Sequence, residues 1–219
     1  QSTKLEKLRT LNINNIIKLV NTKYKKSFIH HSVNELDKFK NTSKNNTSWL
    51  GSQLIIDTYY NPKGLWLSCG SDWLKFVKKD ALLTNSQWYG TIYTYEVKLT
   101  NRVKHIKSVN ELKSFCKKYK NTKVNMQKPI KWNQVKKDYD GLIICPYLGK
   151  KIWGDKVYVV NKRFIENSIG KDLYKYEKLF LEWYRHWETG TGVIWRESGI
   201  KECNLIYTSK KLKETIEKL

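Results

Sequence analysis

Acidic residues are scarce in this chain. Asp and Glu number 20 against 42 Lys and Arg, which leaves a formal net charge of +22 at pH 7. The isoelectric point is near 9.7 and the mean hydropathy is −0.65. A surface of this kind repels basic partners and attracts polyanions: RNA, DNA, an acidic protein, or nucleotide phosphates. Most of the positive charge is Lys, a hydrated point charge, whereas Arg is the better bidentate reader of bases. General attraction is therefore expected, not sequence-specific readout. The same Lys- and Asn-heavy composition also follows from AT-rich coding DNA, in which case the charge only keeps the chain in solution. Long apolar runs are missing too. No stretch reaches the roughly 18 apolar residues a membrane helix needs, so no membrane span is expected.

Cysteine pairs at metal-binding or redox spacing are absent. Cys69, Cys116, Cys145 and Cys203 lie far apart, with no CxxC among them. That excludes a zinc ribbon or a thioredoxin-type site, and no metal ligand set is expected. The opening QSTKLEKLRT holds no apolar signal segment. The simpler expectation is an intracellular chain with reduced thiols, its compartment open, although spacing alone leaves disulfides open. No repeat and no linker rich in Pro or Gly divides the chain. Residues 1–26 read as a helical segment and 27–219 as one domain.

What is present is a sizeable apolar fraction, 40%, with nine Trp. The central stretch is Asn61 to Val77, NPKGLWLSCGSDWLKFV. Pro62 and Gly64 punctuate a turn. Leu65, Trp66 and Leu67 are too short an apolar run for a helix and read as a buried strand. Ser68, Gly70, Ser71 and Asp72 form a polar loop, with Ser71 or Asp72 as N-cap of a helix from Trp73. A strand with a large aromatic at its centre, ending in small residues, lets a flat ring sit beside backbone that a ligand can approach. A core tryptophan in an ordinary strand fits the same pattern.

Other elements follow from periodicity. Leu5, Leu8, Leu11, Ile16, Ile17, Leu19 and Val20 recur at helical spacing, so residues 1–26 read as one or two amphipathic helices. SFIHHSV, Ser27 to Val33, reads as a strand that points His30 and His31 to opposite faces. TIYTYEVKL, Thr91 to Leu99, alternates as a half-buried antiparallel strand and puts Glu96 on a solvated face. Val103 to Ile106 is a short strand. Ser108 and Glu111 form a capping box for a helix through Tyr119. A short helix from Trp132 and a buried strand from Leu142 to Cys145 come next. Lys150 to Asn161 reads as loop plus strand, and Arg163 to Leu181 as helical. EWYRHWETGTGVIWR, Glu182 to Arg196, is densely aromatic: it suits stacking on single-stranded nucleic acid or closing a core. Leu205 to Thr208 reads as a last strand and Lys210 to Leu219 as a charged helix.

Taken in order, GLWLS, WLKFV, YTYEVKL, VNELKSFCKKY, YDGLIICPY and WYRHWETGTGVIW resemble the ADP-ribosyltransferase-like family, in its His–aromatic–Glu branch. The likeness covers about residues 27 to 197. It implies an α+β fold with a split, mostly antiparallel sheet, flanking helices and a cleft that takes NAD as substrate. In that family the first strand's His holds the nucleotide, which His31 with Ser32 matches. The aromatic that stacks on nicotinamide matches Trp66, in place of the usual Tyr. Gly64, Ser68 and Ser71 complete the expected cofactor-binding set. The family's carboxylate position falls on Ile143. Glu188, ahead of a flexible glycine run, is the expected replacement, and Asp140 is the other carboxylate nearby. The implied function is transfer of ADP-ribose to a macromolecular acceptor, protein or nucleic acid, with His31, Trp66 and Glu188 as catalytic residues. The alternative is a catalytically inactive member that binds nucleic acid through its basic charge.

Overall fold

In the computed structural model, residues 2–36, 62, 64–79, 91–121, 130–153, 181, 183, 184, 187 and 189–218 are described. Their strands are β1 (Phe28–Ser32), β2 (Leu65–Cys69), β3 (Tyr93–Leu99), β4 (Val103–Ile106), β5 (Gly141–Ile144), β6 (Thr191–Ile194) and β7 (Ile200–Thr208). Their α-helices are α1 (Ser2–Lys23), α2 (Asp72–Lys79), α3 (Val109–Tyr119), α4 (Trp132–Asp138), α5 (Gly149–Trp153) and α6 (Lys210–Ile216). The class is α+β. The seven strands form one curled, mixed sheet in the order β4-β5-β6-β2-β1-β3-β7.

Antiparallel pairing dominates, and β4 with β5 is the parallel pair. A parallel pair needs a crossover, and α3 and α4 lie between these two strands in the chain. The sheet is continuous, yet it is thinnest at one join. The β1–β2 ladder holds two pairs, Phe28↔Cys69 and Ile29↔Ser68. Beyond Ile29 the two strands part, while β1 stays paired to β3 as far as Ser32↔Tyr93. β2 likewise stays paired to β6 as far back as Leu65↔Ile194.

Local chemistry explains the elements. In α1, Ile13, Ile16 and Val20 lie on one stripe and are fully buried against Ile29, Leu74 and Val77. Buried Asn12 stitches this helix to the sheet: its Nδ2 donates to the Thr91 carbonyl at 2.6 Å, and the Tyr207 hydroxyl donates to its Oδ1 at 3.0 Å. The expected capping box at α3 forms with a shift. Ser108 Oγ accepts from Glu111 N at 3.2 Å, while the Glu111 carboxylate accepts from Lys107 N at 2.9 Å, one residue before the cap. Burial of its stripe, Leu112, Phe115, Cys116 and Tyr119, holds α3 against Leu142, Ile144 and Val193.

Two helical layers thus cover one face of the sheet. α1 and α2 cover the β1 and β7 side, and α3 and α4 with Trp183, Tyr184 and Trp187 cover the β5 and β6 side. On the other face the sheet curls over its own core of Leu65, Leu67, Val97, Ile143 and Ile194. The curl brings non-neighbouring strands together: the rings of Phe28 on β1 and His105 on β4 are 5.5 Å apart.

Several expectations change. Gly149–Trp153 is a short helix where a loop was expected, and β7 begins at Ile200, five residues ahead of its expected start at Leu205. Thr94 is fully buried on the face of β3 that alternation marks as solvated, because the helical layer covers it. Cys69 and Cys145 are joined, their Cα atoms 6.1 Å apart, so the expectation of reduced thiols fails for this pair; Cys116 and Cys203 are free. Residues 154–180, over which a strand and most of a helix were expected, lie outside the described residues. Among the described residues, no helix is long and apolar enough to cross a membrane.

Candidate functional site

The candidate site lies where β1 and β2 part. Register decides which side chains meet there. Ile29 pairs with Ser68, and side chains alternate along both regular strands, so His31 and Trp66 project from the same face. They stand on neighbouring strands, between the two helical layers.

Four side chains define the gap: His30, His31, Trp66 and Trp187. His30 points to the opposite face, is only 3% exposed, and has its Nδ1 at 2.9 Å from the Trp66 carbonyl oxygen. A ring nitrogen thus holds β2 where a backbone amide would otherwise continue the ladder. On the site face, His31 Nδ1 lies 3.3 Å from Thr94 Oγ1. Trp66 meets Trp187 edge to face, with centroids 5.1 Å apart at 68°. The remaining polar atoms of this group, His31 Nε2, Trp66 Nε1 and Trp187 Nε1, are buried and have no hydrogen-bond partner among the described residues. His30 Nε2 is in the same position on the far side. Each such atom costs about 1–3 kcal/mol unless an acceptor or donor reaches it.

Electrostatics keep both imidazoles neutral. Burial lowers His30 to about 4, opposed by its bond to the Trp66 carbonyl. Burial lowers His31 to about 3, helped by the neighbouring His30. At neutral pH each ring therefore offers one N–H and one lone pair. The rings can hold hydroxyls, amides or phosphate oxygens, but they supply no positive charge.

The other expected residues have different duties. Ser32 closes a turn, its hydroxyl donating to the Asn34 carbonyl at 2.5 Å. Ser68 Oγ donates to the Gly70 carbonyl and accepts from Trp73 N, both at 3.0 Å, and so caps α2 in place of Ser71 or Asp72. Ser71 Oγ donates to Asn21 Oδ1 at 2.6 Å and ties α2 to α1. Both hydroxyls are buried and used inside the fold. Gly64 is required by β6: a Cβ there would lie 2.4 Å from the Ile194 carbonyl oxygen. Its small size makes room for a neighbouring strand.

The expected carboxylate position needs a correction. Ile143 is fully buried and pairs with Gly192, which pairs with Leu67. All three face the curled core, away from His31 and Trp66. Position 143 cannot serve the site whatever residue occupies it. Asp140 is also spoken for. Arg102 Nη2 and Arg196 Nη1 each donate to its Oδ1 at 3.1 Å, and Ser198 Oγ donates to its Oδ2 at 2.6 Å. The hydrogen bonds from Arg102, against the cost of burial, hold it down at about 2. Glu188 lies outside the described residues. On β1, β2, β3, β5 and β6, Glu96 is the one carboxylate on the site face, two strands from Trp66, with Ser27 Oγ donating to it at 2.5 Å. Glu96 is half-buried instead of solvated.

The residues that reading the chain missed are His30 as a spacer and Trp187 as the second wall. Adjacent histidines and the aromatic density near residue 187 carried the signals, but only the register assigns them. Among the described residues, no cluster of His, Cys, Asp or Glu could hold a metal ion. No protein-family model matches the chain, and no match was found among curated proteins or solved structures.

Proposed function

We propose that the gap beside His31 and Trp66 takes NAD as substrate, and that the protein transfers ADP-ribose from it to a macromolecular acceptor, protein or nucleic acid. On this reading the fold is an ADP-ribosyltransferase-like one, its cleft at the thin β1–β2 join. One observation carries the reading: an imidazole and an indole share one face across parted strands, with His31 Nε2 and Trp66 Nε1 buried and unpartnered. A dinucleotide offers what those atoms need, a ribose hydroxyl for the imidazole and a carboxamide or phosphate oxygen to accept from the indole N–H, besides a flat ring to lie against the indoles.

In the reaction the bond between ribose C1′ and the nicotinamide nitrogen breaks, and its electron pair leaves with nicotinamide. C1′ then bonds to an acceptor oxygen or nitrogen, which releases its proton. The sugar passes through a cationic state that a nearby carboxylate stabilises. Glu188 is the proposed source. In the sequence it stands three residues before Thr191, the first residue of β6, and β6 lies beside the strand that carries Trp66.

The test is NAD labelled in either half, incubated with the full chain. Nicotinamide release and label transfer are expected, and Glu188→Gln should lower turnover by about 100- to 1,000-fold. Unchanged turnover in that variant removes Glu188 from the mechanism. No binding of NAD at millimolar concentration removes the reading itself.

A second reading rests on a specific observation: Glu96 is the one carboxylate on the site face of these strands, and it stands two strands off. In this version the site binds without turnover, and the +22 charge serves nucleic-acid binding. NAD binding without cleavage, beside salt-sensitive binding of nucleic acid, selects it.

A further inference from the structure

We propose that the Cys69–Cys145 disulfide is a thiol–disulfide exchange site for a small thiol of the glutathione class, and that opening it frees the Trp187 wall of the gap. Register puts the two sulfurs together. Thr191 of β6 pairs with Ser68 on one side and with Ile144 on the other. At the next register position Cys69 and Cys145 flank Gly190. Their side chains meet over that glycine: a Cβ on Gly190 would lie 3.2 Å from both Cβ and Sγ of Cys69. Residues two strands apart ordinarily have Cα atoms about 9–10 Å from each other. These two are 6.1 Å apart. The bridge thus draws β2 toward β5 at the point where β6 begins.

The sheet is held without this bridge. β2 and β5 each make four pairs with β6, and Leu65, Leu67, Ile143 and Ile194 pack together on the curled face. The bridge acts instead on the chain that enters β6. Cys69 N donates to the Gly190 carbonyl at 2.8 Å, and Thr189 N donates to the Trp187 carbonyl at 2.5 Å. Trp187 is the ring that meets Trp66. The turn from Trp187 to Gly190 is therefore seated on a cysteine whose position the bridge fixes.

Access differs between the two sulfurs. Cys69 is buried and Cys145 half-buried, so an incoming thiolate meets Cys145. Its sulfur bonds to Cys145 Sγ, the bridge breaks, and the electron pair leaves with Cys69. A second thiolate then displaces the first from Cys145. The protein is reduced to two thiols, and two small thiols are oxidised to their disulfide. The reduced state has partners ready. Cys69 Sγ lies 3.8 Å from the Ile144 carbonyl, which accepts from the thiol. Asp72 Oδ2 borders the same glycine, 2.8 Å from the Cβ position. Burial raises this carboxyl, against the pull of Lys75, which suits it to hand a proton to the Cys69 thiolate. A bridge that reaches solvent is reduced more readily than an enclosed structural one. Exchange here loosens a wall of the gap whatever the gap binds, so the test uses no NAD.

The full chain is equilibrated in about 10 mM reduced and about 0.1 mM oxidised glutathione, near a cytosolic poise, and free thiols are alkylated and mapped by mass spectrometry. More than about half of Cys69 should be alkylated, against less than about a tenth in air-oxidised protein. Hydrogen exchange over residues 187–192 should speed up at least about fivefold on reduction, while residues 93–99 stay within about twofold. Cys145→Ser should show the fast exchange in either buffer, and melting curves check its fold. A bridge that stays closed in this buffer is a structural one and overturns the proposal. So do Cys69 and Cys145 that remain thiols in air, or reduction that leaves exchange at 187–192 unchanged.

Discussion

Trp66 and Ile143 stand on opposite faces of the same sheet, two strands apart, with Val193 and Gly192 of β6 carrying the register between them. A carboxylate introduced at 143 therefore enters an apolar core. Ile143→Glu should lose about 4 kcal/mol of stability or more, since the new side chain finds no partner there. It should gain no NAD turnover. Denaturant unfolding and a nicotinamide-release assay on the same preparation check both halves. A stable variant with new activity would mean that the strand faces the other way.

Acid should unfold this protein earlier than its buried carboxylate suggests. His30 and His31 are held at about 4 and about 3, below the ordinary imidazole value of 6.5. Above pH 6.5 both are neutral whether folded or unfolded. As pH falls below 6.5 the unfolded chain takes up protons that the folded chain refuses, and stability drops. The slope for His30 is at most about 1.4 kcal/mol per pH unit, and smaller for the partly exposed His31. Asp140 acts lower down: its pKa is depressed to about 2, so its contribution is present above the usual carboxylate value and lost only as pH falls toward 2. Tm should stay nearly level from pH 7.5 to about 6.5 and fall from there to pH 4.5, and His30→Gln should make that fall shallower.

Asp140 anchors the ends of β5 and β6. Besides its side-chain bonds, its carbonyl accepts from Trp195 N and Arg196 N. Asp140→Asn keeps the shape and removes the charge that faces Arg102 and Arg196. The loss should be on the order of 2 kcal/mol, below that of a fully enclosed pair because both guanidiniums reach solvent. Chemical denaturation in low and high salt tests this. Binding at the β1–β2 gap should survive in the folded fraction.

Ser68 and Gly64 separate structural duty from ligand contact. Ser68→Ala removes the cap of α2 and should cost about 1 kcal/mol. Gly64→Ala forces a Cβ against the Ile194 carbonyl and should cost about 1–3 kcal/mol. Neither should change NAD affinity once the folded fraction is accounted for, as calorimetric titration would show. A selective loss of binding with unchanged melting would return either residue to the ligand.

Much of the fold was legible because its causes are local. The stripe Ile13, Ile16 and Val20 announces a helix, Ser108 announces a start, and the run through Leu142 announces a strand. These depend on side chains within a turn or two of one another. The likeness that named His31 and Trp66 was also read from short local stretches, strand by strand.

Faces and neighbours were not legible, because they depend on contacts far apart in the chain. Thr94 and Glu96 read as solvated until α1 and α2 cover their side of the sheet. Ser68, Ser71 and Gly64 read as ligand groups until α2, α1 and β6 claim them. Ile143 read as a lost carboxylate until the ladder through Gly192 turned it to the other side. Chemistry along the chain determined which residues could bind a flat ring or a phosphate; strand register, set by the packing of the whole sheet, decided which of them face one another.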